Sequence, residues 1–174
     1  MNTLDLLVPT FTPLTRARMR LFLIYDDFAA GIAARWLAGE IGSVASRTCE
    51  VTSGMWKFDV ATRVGMFREM TLQEAGEADV LIVAASNLNA PSPEFLRWLE
   101  ALAPWRANRP QRGLLVGLLG EAATEVPELD ALTQSLAQFA GRAELEFTWQ
   151  PMGVHAFGDS GWVMPAIERL VSLK

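Results

Sequence analysis

The chain has 174 residues, 51% of them hydrophobic and 20% charged, with a formal net charge of −5. That is enough chain for one domain with a substantial core, since a domain of this size buries roughly 70% of the surface its unfolded chain exposes. One cysteine, Cys49, and one histidine, His155, exclude a disulfide framework and a Cys/His zinc site within one chain, and the acidic balance argues against binding nucleic acid through phosphate neutralisation.

In chain order, Met1 to Pro13 has no basic n-region, and its apolar run Leu6-Leu7-Val8 is cut by Pro9, so no signal peptide is expected. No apolar run reaches the roughly 18 to 20 residues of a membrane span, which makes the cytoplasm the expected compartment. Residues 1–19 are read as an N-terminal arm and residues 20–174 as the folded domain. The arm carries Leu4, Leu6, Leu7, Val8, Phe11 and Leu14. It is too apolar for an idle tail, and packing over a subunit or partner surface, with homodimerisation as one outcome, is the expectation. The six tryptophans point the same way where their rings are exposed.

From Leu21 onward, short apolar runs alternate with segments of helical periodicity, the signature of βα units around a parallel sheet. Strands are predicted at Leu21 to Tyr25, Arg47 to Thr52, Val80 to Ala85, Leu114 to Leu119 and Leu145 to Trp149. Val80 to Val83 and Leu114 to Leu119 are apolar on both faces and belong in the middle of the sheet. Thr48 to Val51 and Glu144 to Phe147 alternate and suit edges. Helical stripes run through Ile32, Trp36, Leu37 and Ile41, through Phe95, Trp98, Leu99 and Leu102, and through Leu129, Leu132, Leu136 and Phe139, ending at Gly141. Ser92 with Pro93 behind it reads as an N-cap followed by the first helical residue. Residues 58–77 read as one or two short helices, and a last helix spans Pro165 to Val171, capped by Asp159 or Ser160. Pro104, Asn108 and Pro110 mark a loop. The arginines before strand 1 (Arg16, Arg18, Arg20) and near strand 4 (Arg97, Arg106, Arg109, Arg112) are expected to be solvated, with an anionic partner as the alternative.

Right-handed crossovers between five such units favour a three-layer α-β-α sandwich with a five-stranded parallel sheet in the order 2-1-3-4-5. Ligands bind such sheets beyond the carboxyl ends of strands 1 and 3, where the winding reverses. The candidate crevice there comprises Asp26, Asp27 and Phe28 after strand 1, Ser86, Asn87 and Asn89 after strand 3, and Gly120 and Glu121 after strand 4. Trp56 and Lys57 are placed on its rim, with a cover over the sheet end as the plainer role for the aromatics. Asp27, or Asp26, has a plainer role as cap of the following helix. For His155 a loop or helix-entry role outweighs general-base catalysis, because no Gly-x-Ser-x-Gly elbow accompanies it.

At Asp26-Asp27 the chain resembles the response-regulator receiver domain, whose first strand ends in an acidic pair that helps hold magnesium. The resemblance implies a phosphoacceptor aspartate at the end of strand 3, where Ala84 or Ala85 stands. Fold and length also resemble flavodoxins and flavin-dependent NAD(P)H reductases, which implies a phosphate loop of Ser, Thr and Gly after strand 1. Here that loop is Asp26-Asp27-Phe28-Ala29-Ala30-Gly31, whose carboxylates repel a phosphate. Tyr-Asp-Asp-Phe together with Trp-Lys-Phe-Asp downstream is further similar to small uncharacterised bacterial proteins. The expectation is a non-catalytic, pseudo-receiver-like module with no cofactor and no metal, acting through protein contacts or self-association. A flavodoxin-like small-molecule or flavin-binding reductase is the alternative.

Overall fold

The computed structural model describes residues 16–87, 91–120, 131–152 and 159–174. Its elements are β1 (Ala17–Tyr25), α1 (Phe28–Ala45), β2 (Cys49–Lys57), α2 (Phe58–Ala61), α3 (Met66–Glu77), β3 (Val80–Ala85), α4 (Pro93–Ala107), β4 (Leu114–Leu119), α5 (Ala131–Arg142), β5 (Glu146–Pro151) and α6 (Met164–Ser172). The five strands form one parallel sheet in the order β2-β1-β3-β4-β5, the expected flavodoxin-like winding.

Side-chain alternation along β1 sorts the two cores. Phe22 and Ile24 point into the layer of α2, α3, α4 and α5, whereas Met19, Leu21 and Leu23 point into the layer of α1 and α6. β3 and β4 are buried at every position, and β2 and β5 are the edges, as their alternation requires. In the first core Phe22 stacks on Trp98 at 5.9 Å and Phe58 on Phe95 at 4.4 Å. The indole Nε1–H of Trp98 donates to Thr71 Oγ1 at 3.1 Å, so burying this large ring strands no polar atom. Ser92 caps α4 as expected, accepting from the Phe95 amide at 3.2 Å, with Pro93 as the first helical residue.

Several expectations are corrected. β1 starts at Ala17, so Ala17, Arg18 and Met19 belong to the sheet and not to the arm; residues 1–15 lie outside the described residues. β2 continues through Ser53 and Gly54 to Lys57, because pairing along the whole of β1 outweighs the weak strand preference of those two residues. Pro104 does not mark a loop: it sits inside α4, where the lost bond to the Glu100 carbonyl is outweighed by the burial of Leu102 and Arg106 around it. Glu144 is not part of a strand. It takes φ 53° in the turn after α5, where the Leu145 amide reaches back to the Ala140 carbonyl at 2.9 Å. No side chain caps α6: Asp159 Oδ1 accepts instead from the Gly161 amide at 2.8 Å, and the helix is entered through the Ser160 carbonyl, which accepts from Val163 at 3.1 Å. Residues 58–77 resolve into two helices, α2 and α3.

The largest correction concerns the arginines at the amino ends of the strands. Arg106 is only 3% exposed and donates through Nη1 to the carbonyls of Ala75, Gly76 and Ala78, the C-terminal end of α3. Arg109 donates to the Ala78 carbonyl as well, and its Nη2 lies 3.3 Å from Asp79 Oδ1. Buried Asp79 also accepts from the Arg20 amide at 2.8 Å and from Lys174 Nζ at 2.7 Å. A helix C-terminus presents unpaired carbonyls and a partial negative charge, which is why two guanidinium groups are held there and not in water. Desolvation first, and Arg109 second, lower the Arg106 pKa from the ordinary guanidinium range to about 10, with Asp79 opposing. Because the folded value lies below the unfolded one, the buried charge costs stability at every pH below about 10, and that cost is relieved only as pH rises above about 10 toward the ordinary guanidinium range.

Two outcomes follow for thermal unfolding at neutral pH. Arg106→Met removes one donor from the carbonyls of Ala75, Gly76 and Ala78, of which Ala78 keeps Arg109 and Ala75 keeps the Ala78 amide, and lowers stability by about 1 kcal/mol. Glu144→Gly removes the left-handed strain and raises stability by about 0.5 to 1 kcal/mol, a shift of roughly 1 to 4 °C in Tm.

Candidate functional site

β1 and β3 are adjacent, and Tyr25 pairs with Ala84, so the chain leaving β1 meets the chain leaving β3 directly. Asp26 extends the ladder by one bond, its amide donating to the Ala84 carbonyl at 3.2 Å. Its side chain then crosses to the next loop. Oδ1 accepts from the amides of Asp27 at 2.7 Å and Ser86 at 3.0 Å, and Oδ2 accepts from the Asn87 amide at 3.1 Å. Asp27 has extended backbone geometry and is the N-cap of α1: its Oδ1 accepts from the Ala30 amide at 2.9 Å and from the Ser86 hydroxyl at 3.0 Å. Of the two aspartates expected to compete for the cap, Asp27 holds it. Asp26 instead ties two strand exits together.

Gly120, leaving β4, completes the junction. Its amide donates to the Ala85 carbonyl at 2.7 Å, and a Cβ at this position would stand 2.9 Å from the Ser86 carbonyl carbon and 3.3 Å from its Cα. Any side chain here would push the β3 and β4 exits apart, so glycine is required by close approach.

Asp26, Asp27, Ser86, Asn87 and Gly120 are therefore brought together. Phe28, the first residue of α1, stands beside them with 81% of its surface exposed. Trp56 and Lys57 are not free rim groups. Both lie within β2; Trp56 donates through Nε1 to Glu74 Oε2 at 2.8 Å and packs against Phe67 at 6.1 Å, on the α3 layer. Lys57 Nζ sits 3.8 Å from Asp59 Oδ2 in an exposed ion pair, which is worth little. Asn89, Glu121 and His155 lie outside the described residues.

The chemistry of the junction follows from its donors. An anion bound at a helix N-terminus needs free amides. Here the Ala30 amide at the start of α1 and the amides of Ser86 and Asn87 are already directed at carboxylate oxygens, and the two aspartates add negative charge. The two carboxylates set negative charge against a flavin mononucleotide phosphate after β1. The receiver's phosphoacceptor has no counterpart, since β3 ends in Ala84-Ala85, and among the described residues no three His, Cys, Asp or Glu side chains gather in a metal-holding group. The sequence analysis missed the role of Asp26 as an acceptor for the opposite loop. Its one legible signal is a second acid directly beside a better-placed cap.

No family model matches the chain, and no curated protein matches it. Solved structures with the same architecture do. An archaeal flavodoxin aligns over 88% of this chain and 94% of its own, with 16% identity and a TM-score of 0.49. A short-chain flavodoxin associated with a PDU bacterial microcompartment aligns over 88% and 93%, with 11% identity and a TM-score of 0.48. The flavodiiron protein from Giardia intestinalis aligns over 91% of this chain but only 36% of its own length, with 11% identity and a TM-score of 0.51. At these identities the likeness is one of fold: the chain has the flavodoxin-like α/β fold.

Proposed function

We propose that the chain is a non-catalytic module of flavodoxin-like fold that acts through contacts with other proteins, its acidic doublet serving as a structural latch. The observation that carries this reading is the set of partners around Asp26: its oxygens are spent on backbone amides of the chain itself, at the place where related folds hold ligands. A receiver ancestry that has lost its phosphoacceptor is the form this reading takes for the Asp-Asp motif.

The second reading is a small-molecule or flavin-binding protein, and the fold favours it, since solved structures of like architecture are named as flavodoxins, as a stress protein in complex with FMN and as an NAD(P)H:quinone oxidoreductase. If it holds, the latch rejects the phosphate and the ring binds without its anionic tail, so riboflavin is preferred over FMN. Titration of both into the purified chain, followed by flavin fluorescence and melting temperature, separates the readings. The first predicts no saturable change with either flavin and no stabilisation by about 5 mM magnesium, which lacks the ligand set it needs. Saturable binding of riboflavin establishes the second.

The latch makes its own prediction. Asp26→Ala strands the Ser86 and Asn87 amides and costs about 1 to 2 kcal/mol. Asp27→Ala removes a cap and costs about 1 kcal/mol. Because both aspartates bind Ser86, the double variant costs measurably less or more than the sum, as read from urea midpoints.

A further inference from the structure

Ten large apolar residues are exposed among the described residues, and seven of them, Phe28, Ile32, Met55, Val64, Met66, Phe67 and Met70, come from β2 and the segments that flank it. They range from 40% exposed at Met55 to 89% at Val64. Such side chains present on the order of 150–250 Å² each when bare, so the seven leave roughly 700 Å² of apolar surface around one strand. That is close to the ~800 Å² each partner contributes to a standard interface.

The helical layers also cover β2 only in part. On the α1 face an open groove of about 390 Å³ reaches past Val51 and Met55 to core residues Leu21 and Leu23. On the α3 face another of about 280 Å³ runs between Gly54 and Glu74 to Phe22. Between them lies the outer edge of β2, nine residues without proline. Its charges stand near the two ends, each beside an opposite charge: Glu50 with Arg18 and Lys57 with Asp59. The centre, Thr52-Ser53-Gly54, carries none of the charges that natural edge strands use against pairing.

We propose that β2 is the interface through which two copies of this chain associate, edge to edge and antiparallel, into one ten-stranded sheet. This rests on the protein-contact reading above and names the partner. Two identical strands related by a two-fold axis must place outward-facing residues opposite outward-facing ones, so the axis passes through a residue and not between two. With the axis at Ser53, Val51 faces Met55 and Glu50 faces Trp56; with it at Gly54, Val51 faces Lys57 and Thr52 faces Trp56. Neither register sets Glu50 against Glu50 or Lys57 against Lys57. The antiparallel arrangement also sets α1 beside the second α1, bringing Phe28 and Ile32 toward the new seam, and α3 beside the second α3, bringing Phe67 and Met70 toward it.

The test is the mass of the full chain by light scattering from about 1 to 100 µM, with hydrogen exchange of the β2 amides over the same range. The proposal predicts a two-chain mass at the upper end and β2 protection that falls on dilution. Ser53→Lys puts like charges at the axis and weakens association at least tenfold, Met70→Asp weakens it through the α3 face, and Leu173→Lys, at the far end of the sheet, leaves it unchanged. A single-chain mass throughout overturns the proposal. Where β2 is protected in that monomer, the chain's own residues 1–15 cover the edge; where it is unprotected, the partner is a different protein. A dimer indifferent to both Ser53→Lys and Met70→Asp also overturns it. The flavin titration is independent: a monomer blind to flavin leaves the protein-contact reading standing, and a dimer that binds riboflavin removes that reading and keeps the interface.

Discussion

The Asp26 carboxylate is held between the exits of two neighbouring strands, and it joins them. A doubly wound sheet opens a crevice where its winding reverses, and the unpaired amides there are what a bound anion would use. In this chain a side chain from β1 reaches those amides first. Asp27 takes the α1 amide and the Ser86 hydroxyl, and Gly120 lets β4 close against Ser86. The amides of Asp27, Ala30, Ser86 and Asn87 are thereby satisfied from within by the two carboxylates.

A second lock stands at the opposite end of the sheet. Asp79 gathers Arg109 and Lys174, while Arg106 is driven into the space beneath the end of α3, where carbonyls offset part of the desolvation of its charge. Buried charges of this kind contribute little net stability and make removal of one partner expensive. They fix α3, α4 and the strand entries relative to each other. With both ends of β1, β3 and β4 tied in this way, the least constrained part of the sheet is β2, whose outer edge bonds to no strand among the described residues.

The scaffold was legible in the sequence because each of its signals is local. Val80 to Ala85 and Leu114 to Leu119 are apolar on both faces, β2 and β5 alternate, and Ser92-Pro93 announces a helix. What was not legible depends on residues far apart in the chain. Ser53 and Gly54 read as a strand end until a full-length β1 pairs with them. Pro104 reads as a breaker until the burial of Leu102 and Arg106 outweighs it. Arg106 reads as solvated, since nothing in its neighbourhood of sequence announces the α3 carbonyls about 30 residues away. Asp26, Asp27, Ser86, Asn87 and Gly120 come together at the strand exits, whereas Trp56 and Lys57 end β2 level with Ile24 and Tyr25 and are engaged by Glu74 and Asp59, partners no local pattern announces. The role of Asp26 left one signal, a second acid beside the cap, and that signal does not decide it, because a carboxylate that binds a ligand and one that binds backbone amides occupy the same place in a sequence.

The most direct test is the backbone amide spectrum of the intact chain by NMR, compared with that of Asp26→Ala. If Asp26 accepts from both loops, the amides of Asp27, Ser86 and Asn87 lose their hydrogen-bonded shifts and their exchange protection together in the variant. Amides of Ser86 and Asn87 that are indifferent to the loss of Asp26, and move instead when FMN is added to the intact chain, would contradict the account.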